Sequence, residues 1–438
     1  MKRTSTKECP LAGKTILRFA PAFESAGGTE RYLDDLDRTL LERNALTVVR
    51  LHLTRNPSPG GPTDEPLGKG RLVCVPLPIL PGSDSHSGAD EHSVRFRLKQ
   101  MARDWMLYNP LIWRAAGAQW TASLPLARQP GQAVGAGRAA AEMFRSRHVD
   151  LVMLHFFGGA DADEVVVEAG KAHVPFAVLN HYSNDRFLHL AIRKHAMCAQ
   201  GVAGVNGLEL PRYVRNGFVN LSDGIDTEFF RRAKAHPLQN PASQPIILLP
   251  ARVVREKGQM DLVRALASLR NSSVDCCIAF AGRVDASGFG DELRRKIAQS
   301  NLIERVHFLG NLTVEELRDW YAASAIVAFP TYHHEGLGRV IVEAQAMGTP
   351  VVAYATGGVP EGIEQGRTGY LVPTGDIAGL TVRLRELLSS PSLRASMESA
   401  GRVAAESRFS LAALADRHER FYAQVIADFS AAGVKPAR

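Results

Sequence analysis

The chain has 438 residues, of which 45% are hydrophobic and 22% are charged. This composition is typical of a folded globular protein and excludes an intrinsically disordered chain, and the length favours two domains over one. The formal net charge of +7 favours an anionic ligand or surface. Because there is no Lys/Arg run and no RNA-binding motif, we do not expect nucleic acid as a partner.

The sequence also points to a compartment. Its five cysteines are scattered, and no two of them have the spacing of zinc ligands. No window approaches the roughly 18 apolar residues of a transmembrane helix, and no apolar run of signal-peptide length follows the basic start. We therefore expect a cytoplasmic protein, with any membrane contact peripheral.

The first predicted strand and helix are separated by a glycine pair. Residues Lys14–Ala20 form the expected strand, and the stretch from Gly27 to Glu30 opens a helix with one apolar face. Glycine at such a junction lets backbone approach a ligand closely, and a helix start favours a phosphate group. A tight turn without a ligand is the alternative.

Residues 94–128 interleave basic and aromatic side chains, and three of the four tryptophans lie there. The pattern fits a membrane surface, an acceptor groove, or two helices that pack on the sheet with their arginines facing water. The last interpretation is the simplest, and peripheral membrane contact stays a hypothesis.

Two histidines follow predicted strands. His155 ends the strand that begins at Asp150, and His181 follows the strand Phe176–Asn180. Ligands of doubly wound sheets bind beyond the carboxyl ends of the strands, so both histidines are candidates. A capping or core histidine is the alternative for each, and the pattern favours that alternative for His155.

Two cations follow the first strand of the second half. Ile246–Pro250 is the expected strand, and Arg252 and Lys257 come before a helix over Met260–Leu269. Fixed cations beside a strand end suit a diphosphate group, whereas surface ion pairs are the alternative. A later predicted strand ends at Gly310.

The stretch from Phe329 to Asp376 is a predicted strand–loop–helix–strand unit with two carboxylates, Glu335 and Glu343. If a helix joined them, they would lie roughly 12 Å apart. That exceeds the ~5–10 Å of a glycosidase pair and suits a long ligand instead. The amides of the expected helix start favour a phosphate, with sugar near Glu335 and ribose near Glu343; these amides belong to Gly336, Leu337 and Gly338.

Here the chain resembles a known family. Glu335 and Glu343, followed by Gly348, Pro350 and Gly357–Gly358, resemble the E-x7-E signature of retaining GT-B glycosyltransferases, glycosyltransferase family 4 (glycosyl transferases group 1). Three weaker resemblances accompany it. The Gly27–Glu30 stretch is similar to the family's GGxE element, Leu221–Phe230 to its NGID turn, and the Arg252–Gly258 stretch to its GR…KG pattern, with Ala251 in place of the glycine.

The resemblance implies an α/β GT-B fold, in which two Rossmann-like doubly wound domains face each other across a cleft. We expect an acceptor-side domain over residues 1–225, a linker over 226–244 and a nucleotide-sugar-binding domain over 245–410. A C-terminal helix over 411–438 would return to the first domain.

The implied reaction is transfer of a sugar from a UDP- or GDP-sugar to an acceptor hydroxyl of a glycan, glycolipid or small molecule, with retention and without a metal or other cofactor. Polysaccharide or glycolipid synthesis is the expected setting. By the same resemblance, the catalytic residues are His181, Glu335, Arg252 and Lys257. The donor would be bound by Gly28, Arg252, Lys257, Gly310, Glu335, Gly336, Leu337, Gly338 and Glu343.

Three other readings stay open at this point. A sugar-nucleotide epimerase shares this fold, and turnover without an acceptor would reveal it. A phosphorylase would need a pyridoxal lysine, to which no motif points. A catalytically silent nucleotide-sugar-binding module is the alternative that is not an enzyme.

Overall fold

The computed structural model describes the parts of the chain that carry the fold: residues 10–20, 28–54, 62–78, 135–155, 160–181, 195, 199–205, 218–236, 238 and 244–432. Segment 94–128 and the first glycine of the pair, Gly27, lie outside the described residues. The chain divides into two units, Met1–Leu221 with Ala415–Arg438, and Ser222–Leu414.

The first unit is built on one sheet with the strand order β3-β4-β2-β1-β5-β6-β7-β8. All neighbouring strands are parallel except β3 and β4, which are antiparallel. The strands are β1 (Thr15–Ala20), β2 (Thr47–Thr54), β3 (Thr63–Leu67), β4 (Gly70–Pro78), β5 (Leu151–His155), β6 (Phe176–Asn180), β7 (Gly201–Gly204) and β8 (Phe218–Asn220). Its first three described helices are α1 (Gly28–Arg43), α2 (Ala136–Ser146) and α3 (Ala160–Lys171).

The second unit has a fully parallel sheet with the order β11-β10-β9-β12-β13-β14. Its strands are β9 (Ile246–Pro250), β10 (Cys277–Ala281), β11 (Val306–Gly310), β12 (Ile326–Phe329), β13 (Val351–Tyr354) and β14 (Gly369–Val372). Its helices are α4 (Gln259–Asn271), α5 (Phe289–Gln299), α6 (Val314–Ala323), α7 (Arg339–Ala346), α8 (Val359–Gly362), α9 (Ile377–Ser389) and α10 (Pro391–Phe409).

The central strands are apolar on both faces because helices cover both sides of each sheet. Every residue of β9, β10, β12 and β13 is buried. Side chains of alternate strand residues pack into two different apolar clusters, as the period of two requires. Helix α6 begins with a capping box, in which Thr313 and Glu316 satisfy each other's backbone amides.

The last helix, α11 (Leu411–Ala431), belongs to the first unit from Ala415 onward. Asn44 donates to Glu419 Oε1 at 2.8 Å, and the Tyr32 hydroxyl lies 2.6 Å from His418 Nε2. Val425 packs so closely on Gly201 of β7 that a Cβ there would approach its methyl group to 2.4 Å. The end of the chain is thus fastened to the sheet with which the chain begins.

The predicted fold class is confirmed for its two parallel-sheet α/β domains. Several predicted bounds shift by a few residues; for example, the helix expected over Met260–Leu269 spans Gln259–Asn271. Among the described residues, no helix has the length and apolar character to span a membrane.

Candidate active site

The loops after β9 and β12 carry the two predicted cations and the first predicted carboxylate. Between these two strands the strand order of the second sheet reverses direction. From β9 the chain moves to β10 and β11 on one side, whereas β12 starts the other side. Arg252 and Lys257 follow β9, and Glu335 follows β12. Crevices at such a reversal are the usual ligand sites of open parallel sheets.

Lys257 and Glu335 form an ion pair at the centre of this region. Lys257 Nζ lies 2.5 Å from Glu335 Oε1, and the two side chains are 13% and 20% exposed. The ammonium group has three donors, so this contact leaves donor capacity for a second anion. The pair therefore combines a fixed cation with an oriented carboxylate, both still reachable from solvent.

The loop that carries Lys257 is held by close backbone packing. Gly258 has φ +77°, and a Cβ there would lie 1.9 Å from the carbonyl oxygen of Pro330. The Tyr332 amide donates to the Glu256 carbonyl at 2.7 Å, and the Gln259 side-chain amide donates to the Arg252 carbonyl at 2.8 Å. Only glycine fits at residue 258, so the loops after β9 and β12 lie against each other.

The backbone of Glu335 is fixed from a third side by the glycines after β13. The Gly358 amide donates to the Glu335 carbonyl at 2.8 Å. A Cβ on Gly357 would lie 2.5 Å from the same oxygen, so no larger residue fits without movement. This contact explains in physical terms why glycine stands at 357, whereas Gly358 contributes its backbone amide.

The buried carboxylate of Asp261 connects α4, the helix after β9, to the loop after β12 and to β13 by hydrogen bonds. The hydroxyl of Tyr332 donates to its Oδ2 at 2.5 Å, and that of Tyr354 at 2.9 Å. Burial, with the Asp261 bonds next, raises the pKa of Tyr332 to about 12 and raises that of Tyr354 as well. Both phenols therefore stay protonated and keep their hydrogen bonds at physiological pH.

Two other predicted donor residues lie at this edge of the sheet. Arg252 is exposed, and within the described part of the chain its guanidinium forms no ion pair. Gly310 is the last residue of β11. Arg255, the neighbouring cation of the Lys257 turn, instead pairs with Glu292 on α5, as the ion-pair alternative suggested.

The predicted helix start is corrected by the structure. Helix α7 begins at Arg339 with Gly338 as its N-cap, so Gly336 and Leu337 precede the helix. Leu337 packs its side chain into the apolar core. The 12 Å estimate fails with it, because Glu335 lies outside the helix and the rise per residue does not apply there.

Glu343 lies within α7 and is buried. Its Oε2 accepts a hydrogen bond from the Tyr321 hydroxyl at 2.9 Å, and Arg339 Nε is 3.8 Å from its Oε1. Arg339 also lies 3.2 Å from Asp223 Oδ1. The structure therefore places Glu343 in a buried polar cluster with Tyr321 and Arg339.

Gly28 and His181 belong to the first unit. Gly28 is the first residue of α1, and His181 directly follows β6. His181 Nε2 lies 2.9 Å from His155 Nδ1, and its ring meets the Tyr32 ring edge to face at 5.0 Å. Burial, with Arg18 as the second cause, lowers the pKa of His181 to about 3, so its imidazole is neutral.

Sequence reasoning missed the residues that support the predicted ones. Arg339 stands four residues before Glu343, and this ion-pair spacing on a helix is a readable signal. Arg18 is a charge inside an otherwise apolar strand, which is a second one. No local signal marks the tyrosine contacts of Asp261 or the Glu343 contact of Tyr321, since those partners are distant in sequence.

Comparison with known proteins finds similarity that lies mainly in the second unit. Residues 230–404 match the model of the family "Glycosyl transferases group 1". A GDP-mannose-dependent alpha-(1-6)-phosphatidylinositol monomannoside mannosyltransferase of Mycolicibacterium smegmatis is 32% identical over 212 residues, 44% of this chain and 55% of that protein. A D-inositol 3-phosphate glycosyltransferase of the same species is 34% identical over 220 residues, 49% of each chain. The chain thus spans about half the length of these curated relatives.

The solved structures extend the likeness to the whole fold. Sucrose-phosphate synthase of Thermosynechococcus elongatus superposes with a TM-score of 0.69 at 19% identity, covering 95% of this chain and 100% of the other. At this identity the likeness shows the fold alone. The chain has the GT-B fold, and its residues 230–404 match the glycosyl transferases group 1 family.

Proposed function

We propose that the chain is a glycosyltransferase that moves a sugar, with retention, from a nucleotide diphosphate sugar to an acceptor hydroxyl. The observation that carries this proposal is the Lys257–Glu335 pair, at 2.5 Å, where the strand order of a glycosyl transferases group 1 domain reverses. A cation for the leaving group and a carboxylate for the sugar are what such a transfer needs at one place.

In this proposal the two cations stabilise the departing diphosphate. As the bond from the anomeric carbon to phosphate breaks, negative charge grows on the phosphate oxygens. The loop that carries Lys257 packs closely at Gly258 against the Pro330 carbonyl, and Arg252 on the same loop is exposed. Preorganised donors of this kind are worth about 100- to 1,000-fold in kcat each.

The remaining residues orient the donor. Glu335 contacts the sugar, the amides around Gly336–Gly338 face the phosphates, and Gly310 leaves space at the nucleotide. Glu343 accepts hydrogen bonds from the ribose, and Gly28 and His181 serve the phosphate and sugar from the first unit. The leaving phosphate takes the acceptor proton on the same face, so no covalent nucleophile is assigned.

Activity without a metal ion is part of the proposal. Arg252 and Lys257 supply the positive charge at the diphosphate that a divalent cation supplies in other transferases. We expect unchanged rates in the presence of a chelator.

The donor to test first is a GDP-sugar, because the relative with 32% identity described above is named for GDP-mannose. The name of that relative also includes a phosphatidylinositol monomannoside, whereas the other Mycolicibacterium smegmatis relative is named for D-inositol 3-phosphate. A glycolipid or cell-surface polysaccharide is the proposed acceptor class. The reaction is proposed to take place in the cytoplasm. Peripheral membrane contact through residues 94–128 stays part of the hypothesis.

The test is a transfer assay with GDP-mannose, UDP-glucose and other nucleotide sugars, using inositol-containing lipids and glycans as acceptors. Lys257→Ala should lower kcat about 100-fold or more, since it removes a leaving-group donor. Arg255→Ala is the matched control, because it removes the neighbouring cation of the same turn, which is paired with Glu292. It should leave the rate within about twofold.

The alternatives predict different outcomes in the same assay. An epimerase would convert the donor without any acceptor. A silent module would bind one nucleotide sugar, lose that binding in Lys257→Ala and turn over nothing. Equal rates for Lys257→Ala and Arg255→Ala would contradict the assigned site.

A further inference from the structure

A fully buried arginine lies at the centre of the first unit's sheet. Arg18, on β1, is 0% exposed. Its guanidinium lies 2.8 Å from Asp37 Oδ1 on α1 and donates to the Tyr422 hydroxyl on α11 at 3.3 Å. Its third contact is with Nε2 of His155 at the end of β5. Buried charges need such partners, so these contacts are part of the fold.

A line of hydrogen bonds through the two ring nitrogens of His155 connects Arg18 to His181. Arg18 contacts His155 through Nε2, and the other ring nitrogen of His155, Nδ1, lies 2.9 Å from His181 Nε2. His155 has no exposed surface, so protein groups alone determine its protonation.

The chemistry of arginine determines which atom donates and which accepts in each hydrogen bond of this line. A guanidinium group only donates, and it stays protonated in proteins. His155 Nε2 must therefore accept, which leaves the single hydrogen of the neutral ring on Nδ1. That hydrogen is donated to His181 Nε2, which must accept in turn. His181 consequently carries its own hydrogen on Nδ1.

The alternative of a doubly protonated His155 is unfavourable. Its Nε2–H would then point at the donors of Arg18, with two positive charges in contact and away from water. Burial first, and then Arg18, lowers the pKa of His155 well below its usual value. The neutral ring is the form that fits both neighbours.

A second line of contacts holds the His181 ring from its other side. The Tyr32 ring packs edge to face on His181, and the Tyr32 hydroxyl lies 2.6 Å from His418 Nε2. His418 Nδ1 lies 2.9 Å from the Tyr422 hydroxyl, which accepts from Arg18. The contacts thus close a ring that starts and ends at Arg18 and includes the C-terminal helix.

We propose that Arg18 and His155 are positioning residues that hold His181 as a neutral imidazole with its hydrogen on Nδ1. Any group that meets this nitrogen meets a hydrogen-bond donor, and one that stays a donor across physiological pH. The consequence for catalysis rests on the proposed function, in which His181 serves the donor sugar. The tautomer itself does not depend on that function.

The test reads the tautomer directly. Protein labelled with nitrogen-15 histidine shows by NMR, for each ring, which nitrogen carries hydrogen; His181→Asn identifies the His181 signals among the 14 histidines. We expect His181 with hydrogen on Nδ1 and no titration between pH 5 and 8. Hydrogen on Nε2 in the wild-type protein would overturn the proposal, without any variant.

Two substitutions of the connecting residue sharpen the test. His155→Gln keeps an oxygen that accepts from Arg18 and an amide that donates to His181, so it should preserve the tautomer. His155→Phe fills the space but removes both contacts, and should give a mixture of tautomers. The same tautomer in both variants would mean that Arg18 does not act through His155.

Kinetics then separates this proposal from the proposed function. With the donor and acceptor found as above, His155→Phe should lower kcat roughly tenfold or more with little change in KM, and His155→Gln should restore most of it. A wild-type protein that shows the expected tautomer but transfers no sugar would refute the proposed function alone. Active protein with the opposite tautomer would refute the positioning role alone.

Discussion

The two units fix their candidate site residues by different kinds of contact, buried side chains in the first unit and backbone packing in the second. In the first unit, His181 is fixed from behind by a buried arginine, histidines and tyrosines. In the second, Lys257 and Glu335 lie on partly exposed loops that are fixed by backbone contacts around Gly258 and Gly357. Side-chain chemistry in the second unit can therefore change without loss of the fold. In the first unit, the proposed role of His181 and the stability of the fold depend on the same buried charges.

The largest effect that follows is on the buried ion pair of the first unit. Asp37→Asn leaves the Arg18 guanidinium buried without its carboxylate and should lower the free energy of unfolding by about 3–5 kcal/mol. Asp34→Asn is the matched control on the same helix, since Asp34 pairs with Arg50 but its side chain is 59% exposed. It should cost less than about 1 kcal/mol. Urea unfolding of both variants measures the difference, and similar losses would contradict it.

In the second unit, we expect a comparable loss of stability from a substitution that disturbs close backbone packing. Gly258→Ala combines a positive φ with a contact of 1.9 Å to the Pro330 carbonyl, and should cost about 3 kcal/mol or more. Gly288→Ala is the control with nearly the same φ, +79°, and no atom within 4 Å of the new Cβ. It should cost only about 1–2 kcal/mol, and the same thermal or urea melts report both.

Equal destabilisation by the two alanines would show that the Pro330 contact yields easily. The loop after β9 would then be adjustable, and the contrast between the units would weaken. Loss of transferase activity in Gly258→Ala, measured on folded protein, is the accompanying expectation because the clash moves Lys257.

Lowering the pH should destabilise the first unit more than the second. We expect this effect to be smaller than those of the two substitutions above. Burial lowers the pKa of His155, His181 and His418, and that of His181 to about 3. Between that value and the usual 6.5, the unfolded chain binds protons that the folded one does not. Stability is therefore lost as pH falls below 6.5, on the order of 2 kcal/mol at pH 5 for His181 alone.

Hydrogen exchange read peptide by peptide at pH 7.5 and pH 5 tests this difference, after correction for the intrinsic exchange rates. Peptides of β1, β5 and β6 should lose protection, whereas those of β9 and β12 should change little. The arginines whose charges act on these histidines are Arg18, Arg50 and Arg417, and an arginine keeps its proton throughout this range. Equal loss in the two units would show that the buried histidines do not control acid stability.

The same contrast explains what could be read from the sequence. The loops that carry Lys257 and Glu335 follow from strand ends, glycines and fixed offsets, all of which are local patterns; their assignment as a donor site stays a prediction. The alternation of apolar runs likewise predicts both sheets, because parallel strands must be buried on two faces. Local patterns locate the loops of a site well.

The supporting contacts could not be predicted, because they join residues far apart in the chain. Arg18 meets Tyr422 across 404 positions, and Tyr32 meets His418 across 386. The sequence pattern favoured a capping or core histidine for His155, and only the contacts on both ring nitrogens support the positioning role proposed above. The start of α7 was misplaced because glycines before a helix resemble glycines within its first turn.

The smallest expected effect concerns Glu343, which combines features of both regions: it lies in the second unit yet is buried like the first unit's residues. Tyr321→Phe removes the hydroxyl that donates to its Oε2 and should cost about 1 kcal/mol of stability. Tyr370→Phe is the control, because it removes a similar tyrosine–glutamate bond, to Glu386 at 2.7 Å, away from Lys257 and Glu335. If Glu343 binds the ribose, Tyr321→Phe should raise the donor KM several-fold at unchanged kcat, and Tyr370→Phe should not. Equal KM values in the two variants would leave Glu343 as a structural carboxylate, held by Tyr321 and Arg339, and would restrict the donor site to the loop residues that backbone contacts hold in place.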